Sequence, residues 1–227
     1  MGVNESGAIA ADFLSLLPSE DREALRSQAG LRRFRSGATL MHEGQRGEEV
    51  LLLLEGRVKV TCTTAEGKEI VLQFCGPGDL IGELSVVDDR PRSSTVEAFE
   101  PVEALALSGA DFRAFLASRP EAVTALLRSI SRRFRDADRN LIAFAGSQTL
   151  ARVAARLVEL ADRYGEPVEG GVEIDLRISQ EELAGWTGSS REAVAKALHS
   201  LRDLELVVTE RRRITVVDLD GLRRQAA

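Results

Sequence analysis

Cysteine and histidine are scarce in this chain of 227 residues, which has two of each. Cys62 and Cys75 lie in apolar, strand-like stretches and match none of the paired spacings of metal or iron–sulfur sites, so we expect both to be small buried hydrophobic residues. His42 and His199 are equally isolated, which leaves no ligand set for a metal ion or haem. The sequence therefore predicts no metal, no haem and no iron–sulfur cluster.

Long apolar runs and catalytic motifs are also missing. No stretch approaches the ~18 apolar residues of a membrane-spanning helix, and Met1–Asp12 lacks the basic flank and apolar core of a signal peptide. We therefore expect a cytoplasmic protein without a membrane partner. The absence of G-x-x-x-x-G-K, H-E-x-x-H and G-x-S-x-G sequences predicts that the chain is not an enzyme. An enzyme or a nucleotide-gated regulatory subunit remains the alternative class.

Positive charge is not in excess either. The net charge is −6, which argues against a nucleic-acid partner unless basic residues are clustered. Two clusters exist, one along a helix-like segment and one in a single turn: Arg191, Lys196 and Arg202, and Arg211, Arg212 and Arg213. Such clusters supply the phosphate contacts that binding to DNA requires.

Short strand-like runs dominate the chain from about Leu31 to Leu107. The clearest are Val50–Leu54, Val58–Thr64, Ile70–Phe74 and Val102–Leu107. Turns that contain glycine and proline, such as Gly76-Pro77-Gly78-Asp79, separate them. This pattern predicts a β-barrel or a double-sheet roll, and nothing in it is typical of a parallel α/β unit.

A long helix is predicted next. Its expected start has Ser118 as the N-cap, Pro120 in the first turn and Glu121 three residues after the serine. Apolar residues then recur at alternating steps of four and three: Val123, Leu127, Ile130, Phe134, Ala137, Leu141 and Phe144. This spacing predicts a coiled-coil seam between two copies of the chain. The alternative is an amphipathic helix that packs on its own barrel.

The C-terminal part begins after Gly146-Ser147. A second helix is predicted from about Thr149 to Tyr164, and Gly165 ends it. Two strand-like segments, Val172–Ile178 and Leu206–Val217, then bracket two compact helices. We therefore predict an α+β protein with three parts: residues 1–117, 118–145 and 146–227.

The two compact helices have clear boundary signals. Ser179 and Glu182 form a capping box, and Thr187-Gly188-Ser189 supplies a turn before a second helix that follows Ser190. Two short helices joined by a glycine-containing turn predict a helix-turn-helix, whose second helix enters the major groove of DNA. The alternative is a pair of solvated helices with ordinary charges.

Polar residues at the start of the second helix suit base reading. Arg191 can donate two hydrogen bonds to guanine, Glu192 can accept one from cytosine, and Lys196 can donate to guanine or phosphate. Ser179 and Ser190 are expected to contact backbone phosphates. A following hairpin carries the arginines that a wing would present to the flanking phosphates: Arg211, Arg212 and Arg213.

Two motifs carry a resemblance to a known family. Gly82-Glu83-Leu84-Ser85 followed by Arg92-Ser93-Ser94 is similar to its phosphate-binding cassette, and Ser190-Arg191-Glu192 with Lys196 is similar to its DNA-reading helix. The chain thus resembles, over nearly its whole length, the cyclic AMP receptor and fumarate–nitrate regulator (CRP/FNR) family of bacterial transcription factors. The resemblance implies an N-terminal cyclic-nucleotide-binding β-roll, jelly-roll-like, then a dimerisation helix and a C-terminal winged helix-turn-helix. It implies an allosteric homodimer that reads palindromic double-stranded DNA and contacts RNA polymerase.

The cassette fits the chemistry of a cyclic nucleotide, whose phosphate needs a planar cation and whose ribose hydroxyl needs a carboxylate acceptor. By the resemblance, Arg92 would hold the phosphate, Ser93 would add a hydroxyl and Glu83 would accept from the ribose. The remaining cassette residues expected at the ligand are Gly82, Leu84 and Ser85. The alternative is a structural Glu83–Arg92 ion pair in a regulator that binds no ligand.

One departure from the family pattern lies on the long helix. Members that bind cyclic AMP have a Thr-Ser or Thr-Asn pair that contacts adenine, and this chain has Ala137-Asp138 there. An ionised Asp138 can only accept hydrogen bonds, which suits the adjacent donors of guanine. Arg135 and Asp138 also resemble the arginine-x-x-aspartate pattern of cyclic di-GMP sites. The effector therefore stays open among cyclic AMP, cyclic GMP and cyclic di-GMP.

Overall fold

The computed structural model describes residues 12–146, 148–174, 178–210 and 213–226, with the backbone alone at 139, 140 and 142–146. The described residues up to Phe134 form one compact unit, and those from Arg135 onward form another. None of the helices in these ranges has an apolar stretch that could cross a membrane. The three-part division drawn from the sequence stays a prediction.

Two antiparallel sheets build the first unit. Its elements are α1 (Phe13–Leu16), α2 (Ser19–Gln28), β1 (Gly30–Phe34), β2 (Thr39–Met41), β3 (Glu49–Glu55), β4 (Val58–Thr63), β5 (Glu69–Cys75), β6 (Leu80–Ile81), α3 (Glu83–Val87), β7 (Thr95–Ala98), β8 (Val102–Ser108), α4 (Gly109–Ser118) and the start of α5 (Pro120–Gly146). The strand orders are β1-β8-β3-β6 and β2-β7-β4-β5. Of the two predicted options, this is the double-sheet roll.

The sequence of strand β3 is a continuous apolar run because both faces of the strand are buried. Leu51 and Leu53 are buried in the core between the two sheets. Val50 and Leu52 belong to a second core, which the helices of the unit complete with residues such as Phe112. A strand that is covered on both faces has no polar alternation.

The start of α5 differs from the prediction. Ser108, not foreseen, caps α4, and its hydroxyl accepts a hydrogen bond from the N–H of Asp111. Ser118 is the last residue of α4 and donates to the carbonyl oxygen of Ala114 at 3.0 Å. The prediction of Ser118 as an N-cap was therefore wrong, because its hydroxyl serves the preceding helix. Pro120 does occupy the first position of α5.

Two different faces of α5 carry apolar residues. The buried face, which packs on the roll, has Ala122, Ala125, Leu126 and Ser129 at helical spacing. Most of the predicted seam lies elsewhere and is exposed: Val123 at 37%, Leu127 at 59%, Phe134 at 67% and Leu141 at 69%, with Ala137 also exposed and Ile130 at the edge of the roll's core. The side chain of Phe144 lies outside the described residues. Within the first unit, the roll therefore leaves Val123, Leu127 and Phe134 of α5 uncovered, which the alternative of packing on its own barrel does not explain.

The second unit contains helices around one small sheet. Its further elements are α6 (Thr149–Tyr164), β9 (Gly165–Val168), β10 (Gly171–Ile174), α7 (Gln180–Thr187), α8 (Arg191–Asp203), β11 (Val207–Glu210), β12 (Arg213–Val216) and α9 (Leu219–Ala226). The sheet order is β11-β12-β10-β9. The bounds predicted for α6 are confirmed. Gly165 follows the last residue of this helix, and its backbone is extended, not left-handed. A Cβ on this residue would lie 2.2 Å from the carbonyl oxygen of Ala161, so only glycine fits there.

Candidate functional site

A pocket of about 150 Å³ lies beside the turn between β6 and α3. It is lined by all six cassette residues predicted to contact the ligand, Gly82, Glu83, Leu84, Ser85, Arg92 and Ser93, and by Ser94. Gly82 has a φ of +79°, and a Cβ on it would lie 2.4 Å from Nη1 of Arg92 and 2.6 Å from Cε of Met41. Only glycine meets both constraints, so this residue lets the turn close over the arginine.

Arg92 is held inside this turn. Its Nη1 donates to the carbonyl oxygen of Gly82 at 2.5 Å and to Oγ of Ser85 at 2.8 Å, and its Nη2 donates to the carbonyl oxygen of Glu49 at 2.6 Å. Burial lowers the pKa of Arg92, and the charges of Glu49 and Glu83 offset part of this effect. The side chain is thus a buried, oriented cation, which suits an anionic ligand.

The ion-pair partner of Glu83 is Arg133 on α5. The alternative reading of the cassette had predicted Arg92 in this role. Glu83 is only 1% exposed. Burial, the largest single influence, acts to lower the pKa of Arg133, but Glu83, Cys75 and Asp79 together outweigh it and the pKa is raised. The preceding residue, Arg132, makes a similar ion pair, from its Nη2 to Oδ1 of Asp79 at 3.2 Å. The sequence analysis missed Arg133 as a pocket residue, since nothing local pairs it with a residue 50 positions away.

Cys62 lies beside the cassette and is only half-buried, contrary to the prediction, whereas Cys75 is buried as predicted. The Cys62 thiol contacts the carbonyl oxygen of Ser93 at 3.1 Å. Burial, with a smaller contribution from Glu43, raises the pKa of this thiol. No group of three or more potential metal ligands exists among the described residues.

Arg135 and Asp138, which the sequence analysis predicted at the ligand, are exposed on the part of α5 that belongs to the second unit. Their role at the ligand stays a prediction.

A larger cleft of about 540 Å³ also has Arg92 in its lining. Its charged lining is mixed in sign, with Arg32, Arg46, Glu48 and Glu49, and Arg32 pairs with Glu49 at 3.4 Å. We assign the site to the smaller pocket because the cassette serines, Glu83 and Arg133 converge there.

The helix-turn-helix is built as its local signals predict. The hydroxyl of Ser179 accepts from the N–H of Glu182 at 3.1 Å, and the Glu182 carboxylate accepts from the N–H of Ser179 at 2.8 Å. Gly188 ends α7 in the left-handed conformation, and Ser190 caps α8. The Ser179 hydroxyl also donates to Glu182, so a phosphate contact would have to replace that bond.

Helix α8 presents Arg191, Glu192 and Lys196 to solvent. Its opposite face is buried at Val194, Ala197 and Leu201. Hydrogen bonds from its own backbone N–H and from the Ser190 side chain lower the pKa of Glu192. Glu192 therefore stays an acceptor, as pairing with cytosine requires.

Two arginines of α6, missed by the sequence analysis, hold the turn of this motif. Nε of Arg152 donates to the carbonyl oxygen of Thr187 at 3.0 Å, and its Nη2 donates to Oγ of Ser189 at 3.2 Å. The guanidinium of Arg156 lies 4.7 Å from the ring centre of Trp186, a cation–π contact. Such contacts fix the position from which α8 begins.

Strands β11 and β12 form the predicted hairpin. Arg211 and Arg212, which follow β11 in the sequence, lie outside the described residues. Arg213 pairs with Glu173 of β10 at 3.4 Å, so an acidic side chain competes for this predicted phosphate contact. Arg202 of α8 donates to Oγ1 of Thr209 at 2.7 Å and thereby links the helix to the hairpin.

The fold and the site define a class: a transcription regulator that combines a cyclic-nucleotide-type β-roll with a winged helix-turn-helix. Residues 31–119 match the cyclic nucleotide-binding domain family, and residues 151–225 match the Crp-like helix-turn-helix domain family. The chain is 33% identical over 193 residues to a CRP-like cAMP-activated global transcriptional regulator of Mycobacterium tuberculosis, which covers 85% of this chain and 86% of that protein. It therefore belongs to the CRP/FNR family, as the motifs predicted.

Other relatives agree with this assignment. The cyclic AMP receptor protein of Thermus thermophilus is 32% identical, over 84% of this chain and 85% of the relative. The crystal structure of a CRP-family transcriptional regulator, also from Thermus thermophilus, matches with a TM-score of 0.73 and 29% identity, over 86% of this chain and 96% of that one. The predicted architecture of a β-roll, a long helix and a winged helix-turn-helix is thus confirmed.

Proposed function

We propose that this chain is a homodimeric transcription regulator whose binding to palindromic DNA is controlled by a cyclic nucleotide in the β-roll pocket. The observation that carries the proposal is the convergence of Glu83, Arg92 and Ser93 on one pocket, with Arg133 of α5 bonded to Glu83. Because α5 also carries the exposed seam, a ligand that changes the Glu83–Arg133 contact would act on the helix that joins two copies. The relatives named for cyclic AMP support this class of effector.

Helix α8 is the element that would enter the major groove of DNA. A two-fold site requires the two recognition helices to lie about 34 Å apart, one turn of B-DNA, so a small rotation at the seam would make or break the match. We propose Arg191, Glu192 and Lys196 as base readers, with the hairpin arginines on the flanking phosphates and RNA polymerase as a further partner.

A second candidate keeps the DNA function and drops the ligand. It is favoured by the observation that Arg92 and Glu83 already have partners within the protein. In such a regulator the cassette would be structural.

Calorimetric titration with cyclic AMP, cyclic GMP and cyclic di-GMP separates the two candidates. We expect saturable binding of one nucleotide to the wild-type protein, and binding to Arg92→Ala that is weaker by roughly 100-fold, because a charge-assisted phosphate contact is lost. Loss of binding in Asp138→Ala for a guanine nucleotide would identify Asp138 as the base reader. If none of the three binds, the regulator is the ligand-independent one.

One substitution at the recognition helix and one among the hairpin arginines test the DNA interface. Arg191→Ala is expected to cost about 1–3 kcal/mol on the specific site and to relax specificity at one base pair, since it removes a base contact. Arg212→Ala is expected to weaken binding to all sequences alike, since it removes a phosphate contact. Fluorescence anisotropy with specific and scrambled duplexes measures both, and equal losses on the two duplexes for both variants would contradict these roles.

A further inference from the structure

The guanidinium of Arg92 has few free donors. Both N–H groups of Nη1 have acceptors in the protein, the carbonyl oxygen of Gly82 at 2.5 Å and Oγ of Ser85 at 2.8 Å. Nη2 gives one hydrogen bond to the carbonyl oxygen of Glu49. A phosphate accepts most strongly from two parallel N–H groups of an arginine. Because both N–H groups of Nη1 are engaged, the edge that joins Nη1 and Nη2 cannot offer a phosphate two free parallel N–H groups.

Ser85 is held in the orientation that makes it an acceptor for Arg92. Its hydroxyl donates to the carbonyl oxygen of Gly82 at 3.2 Å, so a lone pair faces the guanidinium. The side chain is 6% exposed. Gly47 lies behind it, where a Cβ would be 2.3 Å from Oγ of Ser85 and 3.4 Å from Nη1 of Arg92. The missing side chain of Gly47 thus provides the space that the serine occupies.

We infer that the Ser85 hydroxyl competes with the phosphate of the ligand for Arg92 and so lowers the affinity of the pocket. This inference rests on the proposed function of the pocket and departs from the sequence expectation that Ser85 contacts the ligand. Of the two acceptors of Nη1, the backbone carbonyl of Gly82 is fixed, whereas the serine hydroxyl can be removed by substitution. Without it, a buried N–H of a charged group lacks an acceptor until the phosphate arrives, and the ligand then gains that hydrogen bond.

Ser85→Ala tests the inference as a gain of affinity. We expect cyclic AMP or cyclic GMP, titrated calorimetrically, to bind this variant roughly three- to tenfold more tightly than the wild type. Adenosine and guanosine, which lack the phosphate, should show no gain. The ligand-free variant should melt at a lower temperature than the wild type, and saturating nucleotide should remove most of the difference. Gln73→Ala is the control and should show no gain, because Gln73 lines the pocket but lies outside the cassette.

The outcomes separate this inference from the proposal on which it rests. If the wild type binds a nucleotide and Ser85→Ala binds it equally or more weakly, Ser85 is no competitor and the ligand-controlled regulator stands. An equal gain in Gln73→Ala would also overturn the inference, since a general loosening of the pocket would then explain it. If neither the wild type nor Ser85→Ala binds cyclic AMP, cyclic GMP or cyclic di-GMP, both the inference and the proposed ligand control fail.

Discussion

Replacing Arg133 with methionine is expected to lower the free energy of unfolding by about 3–5 kcal/mol, because it leaves the carboxylate of Glu83 buried without its cation. Glu83 is 1% exposed, and Arg133 is its ion-pair partner. Guanidinium chloride titration followed by circular dichroism measures the loss. The chain's one tryptophan, Trp186, lies in the second unit, so its fluorescence records in the same experiment whether that unit unfolds separately.

Two further variants make this result specific. Arg128→Met removes an exposed arginine from the same helix and should change stability by less than about 0.5 kcal/mol. Glu83→Gln combined with Arg133→Met removes both charges and should recover much of the loss, since a neutral pair costs little to bury. If Arg133→Met and Arg128→Met behave alike, the pair contributes nothing and the link from pocket to helix is wrong.

Much of the fold could be predicted from local sequence signals. The capping box at Ser179 and the glycine-containing turn at Gly188 each depend on a few neighbouring residues, and both are confirmed. The same holds for α6, whose period and cap need no distant partner. The spacing of the seam residues was equally readable, because helical geometry alone puts Leu127 and Phe134 on one face.

The features that the sequence analysis missed depend on which partners the folded structure supplies to each side chain. Ser118 has the right neighbours for an N-cap, yet it lies at the end of α4 and bonds backward. The partner of Glu83 could not be found from spacing, because the roll and the start of α5 must first fold before Arg133 reaches it. Arg152 is a similar case, since an arginine on an amphipathic helix is usually a solvated residue, and only the packed turn supplies the Thr187 carbonyl that it binds.

In the proposed homodimer, Phe134→Glu is expected to separate the two copies into monomers without unfolding the chain. Phe134 is 67% exposed in the single chain, so its removal costs little within the monomer, whereas two glutamates at the seam would repel across the dimer axis. Affinity for a two-fold DNA site should fall by roughly 100-fold or more, because the second half-site would no longer bind as part of the same molecule. Sedimentation velocity measures the assembly, and fluorescence anisotropy on full and half sites measures the binding.

The control for this variant is Arg128→Glu, which adds an acidic residue to the same helix outside the seam. It should remain dimeric and keep most of its affinity. At equal protein concentration, the melting temperature of Phe134→Glu should fall only by the contribution that dimerisation makes to stability. The affinity of this variant for an isolated half site should match that of the wild type. A Phe134→Glu protein that sediments as a dimer would mean that the exposed face of α5 is not the surface at which two copies meet, and that the recognition helices are spaced by some other contact.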